Sequence, residues 1–590
     1  MKILYIKYPT NSEIEIQKFS GVMQIIEFNP KLYNSNLQLF IEELGKYEFD
    51  GVIISDFIED SYLGLEICIR IRLSRQLLGQ RSYCTFFIYT EENPNEILNN
   101  QINLGENTTS TLFMTRGVYK FDNFDLLILQ LNNPKNFNLL NKANFNEAVL
   151  KFLILKKPSN IGNHSLANIW GAYRLAEITG YTEKLAENTK QEKYKSDLYF
   201  MYLIAHSPKI ENITSHTKIN IPSMNKKILF IDDEADKGWE DVLKELFVGS
   251  NFESVAKGES ENADLFFNKA SLKALEKDEN GLPKWDLILL DLRLDETEDL
   301  GENANKLALE YSGAKLLQSI KKDNRGTQVV IFTASNKAWN MRELIDMGAD
   351  GFYFKESPEY SSDLAFSTKN FESFKKQVEL CFEKDSLRYI YSINLATTNV
   401  LDIQDKLYDS NFASKRRLIR MLLQLAFNSI YNYTSSSKEH AIYSFLEYYK
   451  IIEIFGKELI KDENYEKQSS GYYVKGKRNE KIEFISFLPK CRAMIKPKKK
   501  DGFLISYTAQ PYEPVGEDLK YYMNPNSSMK FAGIMLLRFR FKDSEVENFI
   551  RLNNLRNSLV AHSGNISKLE LNTIDVIQLA ELIKESFVRI

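Results

Sequence analysis

The sequence predicts a multidomain protein of mixed class, with two doubly wound parallel-sheet α/β domains, a helical connector between them and an all-helical bundle at the end. Apolar, β-branched runs alternate with helical segments over residues 1–135 and again over 223–385, which is typical of parallel sheets covered by helices. Residues 136–222 and 386–590 show mainly helical patterns. A chain of 590 residues is also too long for a single core.

Composition excludes several classes of protein. The net charge is −4 and the isoelectric point about 6.0, so any charged binding surface must be local. The cysteines show no ligand spacing for zinc, and we expect no disulfide. The first residues, MKILYIKYPT, read as a strand, and apolar stretches of membrane-spanning length are missing from the sequence. We therefore expect a cytoplasmic protein with no membrane partner.

The first α/β region contains three runs that suit buried strands, MKILYIKY, DGVIISDF and CTFFIYTE. The segment GLEICIRIRLSRQLLG between the last two suits a helix. After LNNPK the pattern becomes helical, in HSLANIWGAYRLAEITG and KSDLYFMYLIAHS. Because His164, His206 and His216 show no partner spacing, we interpret residues 136–222 as a connector.

In the second α/β region, polar residues follow the apolar runs. Asp232 and Asp233 end the first strand, Asp291 the third and Thr333 the fourth, while Lys355 follows the fifth. The carboxyl ends of parallel strands meet at one edge of a sheet, where ligands bind. Three carboxylates there repel one another unless a cation neutralises them, and oxygen ligands suit Mg²⁺. A lysine and a hydroxyl complete a cradle for a phosphoryl group.

These motifs resemble the receiver domain of two-component response regulators, a flavodoxin-like fold, over roughly residues 225–385. The resemblance implies phosphorylation of Asp291 by a sensor histidine kinase or a phosphotransfer protein. It also implies a magnesium site formed by the two acidic side chains, the phosphoacceptor and a backbone carbonyl, together with three switch residues. The metal set is Asp232, Asp233, Asp291 and Arg293, and the switch set is Thr333, Phe352 and Lys355.

The sequence departs from the receiver pattern in two places. Glu356 stands where the family usually has proline, and the stretch after Asp291 is longer and more acidic than is typical. The first α/β region is receiver-like too, with Asp56 and Thr90 in matching positions. Two residues replace its acidic pair and a lysine falls one position short, so we expect no phosphorylation there; these are Lys7, Tyr8 and Lys120.

A second motif, LRNSLVAHSG, lies near the end of the chain. It places Arg556 and Asn557 before His562 on a predicted helix that Gly564 is suited to end. A histidine beside a permanently charged arginine suits RNA cleavage through 2′-hydroxyl attack, which needs no metal. The motif resembles the Arg-x(4–6)-His signature of HEPN domains, many of which are dimeric RNases. That resemblance implies a homodimer with an RNA substrate.

A lysine-rich segment interrupts the C-terminal helices over about residues 462–525, and we expect it to be irregular. Its basic side chains are candidates for binding the phosphates of RNA, namely Lys475, Lys477, Arg478, Lys496, Lys498, Lys499 and Lys500. The preferred hypothesis is an RNase under receiver control, in antiphage defence or stress signalling. The alternatives are a non-enzymatic response regulator that binds protein or RNA, and a phosphorelay adaptor whose C-terminal part dimerises.

Overall fold

The computed structural model describes most of the chain. The residues outside this description are 1, 9–22, 34–35, 59–60, 105, 158–161, 189–196, 208–217, 296–297, 299–307, 335–337, 359–363, 405–409, 460–471, 478–480, 488–489, 498–502, 509–530, 533–534, 537–538, 562–570 and 590. Among the described residues, no helix combines the length and the apolar character that crossing a membrane requires.

The first domain is a parallel five-stranded sheet with strand order β2-β1-β3-β4-β5. Its strands are β1 (Ile3–Lys7), β2 (Met23–Glu27), β3 (Gly51–Ser55), β4 (Thr85–Tyr89) and β5 (Val118–Phe121). The three predicted strands are β1, β3 and β4, whose apolar residues are buried on both faces. The helices are α1 (Pro30–Tyr33), α2 (Leu37–Leu44), α3 (Leu63–Leu73), α4 (Arg75–Leu78), α5 (Pro94–Leu104) and α6 (Phe124–Leu131).

The α-helices in the described part of the predicted connector are α7 (Asn163–Thr179), α8 (Thr182–Ala186) and α9 (Leu198–His206). Its apolar residues are divided between two cores. Residues before α7, together with Leu198 of α9, pack into the core of the first domain. Residues of α7 and α8 pack into the core of the second domain. Each end of the connector is therefore built into the domain next to it.

The second domain repeats the topology of the first, with strand order β10-β9-β8-β6-β7. Its strands are β6 (Lys227–Ile231), β7 (Asn251–Val255), β8 (Leu287–Asp291), β9 (Gln328–Thr333) and β10 (Gly351–Phe354). The described helices are α10 (Trp239–Leu246), α11 (Ala263–Ala274), α12 (Ser312–Asp323), α13 (Ala338–Asp346) and α14 (Leu364–Glu383). Two doubly wound parallel sheets are thus confirmed.

The C-terminal part is a helical bundle around one apolar core. The helices are α15 (Leu387–Gln404), α16 (Ser410–Tyr431), α17 (Glu439–Leu459), α18 (Asp543–Ala561) and α19 (Thr573–Arg589). The expectation of an irregular segment near 462–525 is wrong in part, because four strands form an antiparallel sheet there. They are β11 (Tyr472–Lys477), β12 (Lys481–Phe487), β13 (Lys490–Pro497) and β14 (Phe503–Thr508). The alternation in KIEFISF is the pattern of a strand.

The helical bundle is joined to the second domain at the end of the sheet opposite the carboxyl ends of its strands. There Tyr431 of α16 donates a hydrogen bond to Asp350, just before β10, at 2.6 Å. Asn324, at the end of α12, donates to the carbonyl of Arg388 in α15 at 2.9 Å. A Cβ on Gly326 would lie 2.4 Å from the backbone of Leu387, so only glycine permits this close approach.

Candidate functional site

The carboxyl ends of β6, β8, β9 and β10 bring together the polar residues that the sequence singled out. Adjacent strands are in register, with Asp291 opposite Phe332 and Phe354 opposite Thr333. We call the cluster of Asp232, Asp233, Asp291, Thr333 and Lys355 the carboxyl edge of the second sheet. All five of these residues are buried. The aspartates and Lys355 therefore interact in surroundings that hold little water.

Lys355 connects two of the acidic residues. Its ammonium group lies 2.6 Å from Oδ2 of Asp232 and 2.7 Å from Oδ2 of Asp291. Burial opposes the charge of Lys355, but Asp232 and Asp291 outweigh it and raise its pKa. Burial raises the pKa of Asp232 to about 7, with the charges of Asp291 and Asp233 adding to the shift and Lys355 opposing it. The edge thus holds an excess of carboxylates over cations.

The two aspartates at the end of β6 have different environments. Both oxygens of Asp232 are used, since Oδ2 faces Lys355 and Oδ1 accepts a 2.8 Å hydrogen bond from the backbone N–H of Glu234. Asp233 instead lies near Asp291 and His164. One oxygen from each of these two carboxylates and a ring nitrogen of His164 all lie within 4.8 Å of one another. This donor set fits a divalent cation, including the predicted Mg²⁺.

Helix α7 of the connector covers the carboxyl edge of the second sheet, which the sequence did not indicate. His164 Nε2 lies 3.2 Å from Oδ1 of Asp233. The amide oxygen of Asn168 accepts hydrogen bonds from Lys355 at 2.7 Å and from the Trp239 indole at 3.2 Å. The amide nitrogen of Asn168 donates to Glu234 at 2.8 Å. The polar side chains of His164 and Asn168, which lie 60 or more residues before Asp232 in the chain, therefore complete the site.

Beyond Asn168, α7 contacts the second domain through a glycine and through a buried ion pair. A Cβ on Gly171 would lie 2.9 Å from the ring of Trp239, so the absence of a side chain lets α7 approach. Further along, Arg174 pairs with Glu356 at 3.5 Å and donates to Ser367 at 3.2 Å. Glu356 also accepts from the Ser367 hydroxyl at 2.7 Å. Glutamate in the usual proline position thus holds α7 against the second domain.

The remaining residues of the predicted receiver set are also placed by the strands. Thr333 ends β9, and its carbonyl accepts from the backbone N–H of Lys355 at 2.8 Å. Phe352 lies in β10, where its ring belongs to the apolar core beneath α11 and α12. Arg293 follows β8, two residues after Asp291, at the same edge. The structure does not test their assigned roles.

The matching edge of the first domain has a different chemistry. Asp56 follows β3 and is buried, which raises its pKa, while a hydrogen bond from Thr90 opposes the shift. Lys120 of β5 lies opposite Ile88 of β4, and its ammonium group donates a hydrogen bond to the carbonyl of Glu92 at 2.7 Å. Lys355, by contrast, follows the residue that pairs with Thr333. In the first domain, Thr90 matches Thr333, and by strand register Lys120 lies three positions before the place that corresponds to Lys355. The sequence had predicted a difference of one position.

In the C-terminal bundle, Arg556 and Asn557 lie on α18. The Arg556 guanidinium pairs with Glu453 of α17 at 2.7 Å and lies 5.4 Å from the centre of the Tyr449 ring. Arg556 also donates to the side chain of Asn557 at 3.3 Å. His562 lies outside the described residues, so the structure does not test its pairing with Arg556.

Three of the predicted RNA-binding residues fall in the antiparallel sheet. Lys475 and Lys477 are in β11 and Lys496 is in β13. The others, Arg478, Lys498, Lys499 and Lys500, lie outside the described residues. Backbone position alone does not test the predicted contact with RNA.

Comparison with known proteins gives structural similarity only. No family model matches the sequence, and no curated protein matches it. One similar structure is a CheY-like receiver domain protein from Methanospirillum hungatei, with 20% identity, 26% of this chain and 98% of that chain covered, and a TM-score of 0.17. A LuxR-family response regulator from Aurantimonas has 16% identity, coverages of 26% and 86%, and a TM-score of 0.17.

Proposed function

We propose that this protein is a response regulator that is phosphorylated on Asp291 and thereby controls its C-terminal helical domain. The observation that carries the proposal is the position of Lys355, whose ammonium group contacts both Asp291 and Asp232 at the carboxyl edge of the second sheet. An ammonium group beside an acidic acceptor is suited to stabilise the charge of a transferred phosphoryl group. A fold by itself does not define a function, whereas this geometry is specific to the site.

In the proposed reaction, a carboxylate oxygen of Asp291 attacks the phosphorus of a donor phosphoryl group. The new bond is an acyl phosphate, and the bond from phosphorus to the donor breaks. Mg²⁺ held at Asp233 and Asp291 would neutralise phosphoryl oxygens, while Lys355 and Thr333 would bind the remaining ones. A sensor histidine kinase or a phosphotransfer protein in the cytoplasm would be the donor.

The proposed output is RNA cleavage by the C-terminal domain without a metal. Arg556 and Asn557 would stabilise charge on the phosphate, and His562 would transfer the proton. The guanidinium of Arg556 is part exposed beside Tyr449, and an RNA phosphate would displace its ion pair with Glu453. Two copies of the chain would bring two such motifs together. A role in antiphage defence or stress signalling is the context that we propose for this activity.

The first test is mass spectrometry of the intact protein after incubation with acetyl phosphate and Mg²⁺. We expect the mass of one added phosphoryl group, which Asp291→Asn abolishes and Asp264→Asn, at an exposed position of α11, leaves unchanged. Phosphorylation that persists in Asp291→Asn would contradict the proposed acceptor.

A second test addresses the output, by incubating the phosphorylated and unphosphorylated protein with total RNA. Cleavage that depends on both Asp291 and His562 would support a phosphorylation-controlled RNase. If Asp291 is phosphorylated but RNA remains intact in every state, the C-terminal domain acts instead by binding or by dimerisation. In that case His562→Ala would have no effect on the function of the protein.

A further inference from the structure

Three side chains at the carboxyl edge of the second sheet are arranged as ligands of one cation, and one of them comes from outside the domain. His164 belongs to the first turn of α7, whereas Asp233 and Asp291 follow β6 and β8. One donor atom from each lies within 4.8 Å of the other two, and all three residues are buried. Imidazole nitrogen and carboxylate oxygen are both common ligands of divalent metals.

The distance between the donor atoms of His164 and Asp233 agrees with binding to a single ion. Donor atoms about 2.1 Å from a metal, at the angles of octahedral or tetrahedral sites, lie roughly 3 to 3.5 Å apart. The observed distance from His164 Nε2 to Asp233 Oδ1 is 3.2 Å. The neighbouring amide of Asn168 lies 3.2 Å from the same nitrogen and keeps its stronger contact with Glu234 at 2.8 Å.

Asp232 is the alternative third ligand, but it is directed elsewhere. Its two oxygens accept hydrogen bonds from Lys355 and from the backbone N–H of Glu234. Lys355 also satisfies Oδ2 of Asp291. Because Asp232 is engaged in this way, Asp233, Asp291 and His164 remain as the candidate ligands.

We infer that a divalent cation at this edge is held by His164 together with Asp233 and Asp291, so that the ion links the connector helix to the second domain. This inference rests on the proposed phosphoryl site and extends it. A ligand set with one imidazole favours Mn²⁺, Co²⁺ or Zn²⁺ more strongly than an oxygen-only set does, whereas Mg²⁺ prefers oxygen and water. The ion also fixes the first turn of α7 over the phosphoacceptor.

Calorimetric titration of the full chain with Mn²⁺ and with Mg²⁺ tests this inference. We expect His164→Ala to weaken Mn²⁺ binding at least tenfold while changing Mg²⁺ binding much less. Asp233→Asn should weaken the binding of both ions, and His440→Ala, in the helical bundle, should leave both unchanged. Equal or tighter Mn²⁺ binding by His164→Ala would overturn the inference, because His164 would then compete with the ion.

A measurement on the unaltered protein covers the case in which His164→Ala does not fold. Electron spin-echo spectra of the Mn²⁺-loaded chain should show modulation by a directly coordinated ¹⁴N nucleus, and its absence would overturn the inference. Mn²⁺ binding that depends on Asp233 but lacks the nitrogen signal leaves the proposed phosphoryl site standing. If neither ion binds, the magnesium part of the proposed function fails as well.

Discussion

The ammonium group of Lys355 lies 2.7 Å from the amide oxygen of Asn168, which joins a helix of the connector to the residue that also contacts Asp291. The bond is buried, and Trp239 donates to the same oxygen. A phosphoryl group on Asp291 would need a hydrogen bond from Lys355, which already uses its three N–H donors on Asp232, Asp291 and Asn168. Phosphorylation and the docking of α7 are therefore expected to compete for Lys355.

Asn168→Ala should speed phosphorylation of Asp291 by acetyl phosphate, because it removes the contact of α7 with Lys355. The measurement is the rate at which the phosphorylated mass appears. Ser319→Ala, on the exposed part of α12, is the control and should leave the rate unchanged. A slower rate in Asn168→Ala would mean that α7 assists the reaction instead of blocking it.

Gly171→Ala should loosen α7, although alanine favours a helix by about 1 kcal/mol over glycine. The added Cβ would lie 2.9 Å from the Trp239 ring, and this clash outweighs the gain in helix propensity. Hydrogen exchange in residues 163–179 should become faster. Gly162→Ala, where a Cβ meets open space, should not change it. Equal exchange in both variants would exclude close packing at Gly171.

Glu356→Ala should destabilise the second domain by about 2 kcal/mol, because it removes a hydrogen-bonded charged partner of the buried Arg174, which keeps its ion pair with Glu177. Arg174 and Glu356 have fully buried side chains, and the hydrogen bond from Ser367 is lost too. Denaturant unfolding followed by tryptophan fluorescence measures the change. Glu183→Ala removes an exposed pair with Lys218 and should have no measurable effect. Similar stabilities for the two variants would contradict the docking role of Glu356.

Tyr431→Phe should weaken the junction with the helical bundle by about 2 kcal/mol, since the lost hydrogen bond ends on a buried carboxylate. The bond runs from the Tyr431 hydroxyl to Asp350, which also pairs with Lys321. The expected readout is a lower midpoint of thermal unfolding. Tyr443→Phe is the matched control, because that ring is half exposed, and its midpoint should match that of the unaltered protein.

Asp56→Asn should stabilise the first domain at pH 7. Burial raises the pKa of Asp56, so the folded state binds its proton more tightly than the unfolded state does. The stability that the protonated Asp56 carboxyl contributes is fully present below its pKa in the unfolded state. This stability is lost as the pH rises through the pKa of Asp56 in the folded state. Protection of β3 from hydrogen exchange should therefore increase at pH 7 and depend less on pH in the variant. The exposed Asp122→Asn should change neither, and reduced protection in Asp56→Asn would contradict the prediction.

The meeting of polar residues at one edge of the second sheet was predictable because it depends on the order of strands. Asp232, Asp291 and Lys355 each follow an apolar run, and the geometry of a parallel sheet brings such positions together. The part played by α7 was not predictable in this way, since its contacts join segments far apart in the chain. A weak signal existed, because His164, Asn168 and Gly171 share one face of the helix. Only the packing shows that this face meets charged groups.

The division of the connector between two cores affects how the chain can be cut or recombined. Leu153 and Leu155 belong to the first core, while Leu175 and Leu185 belong to the second. A small cluster of Ile169, Trp170 and Phe200 then joins α7 to α9. A fragment that starts at residue 223 would lack the helix that covers its acidic edge and would expose apolar surface. A chimaera that retains the covered acidic edge must therefore inherit residues 163–186 along with the second domain.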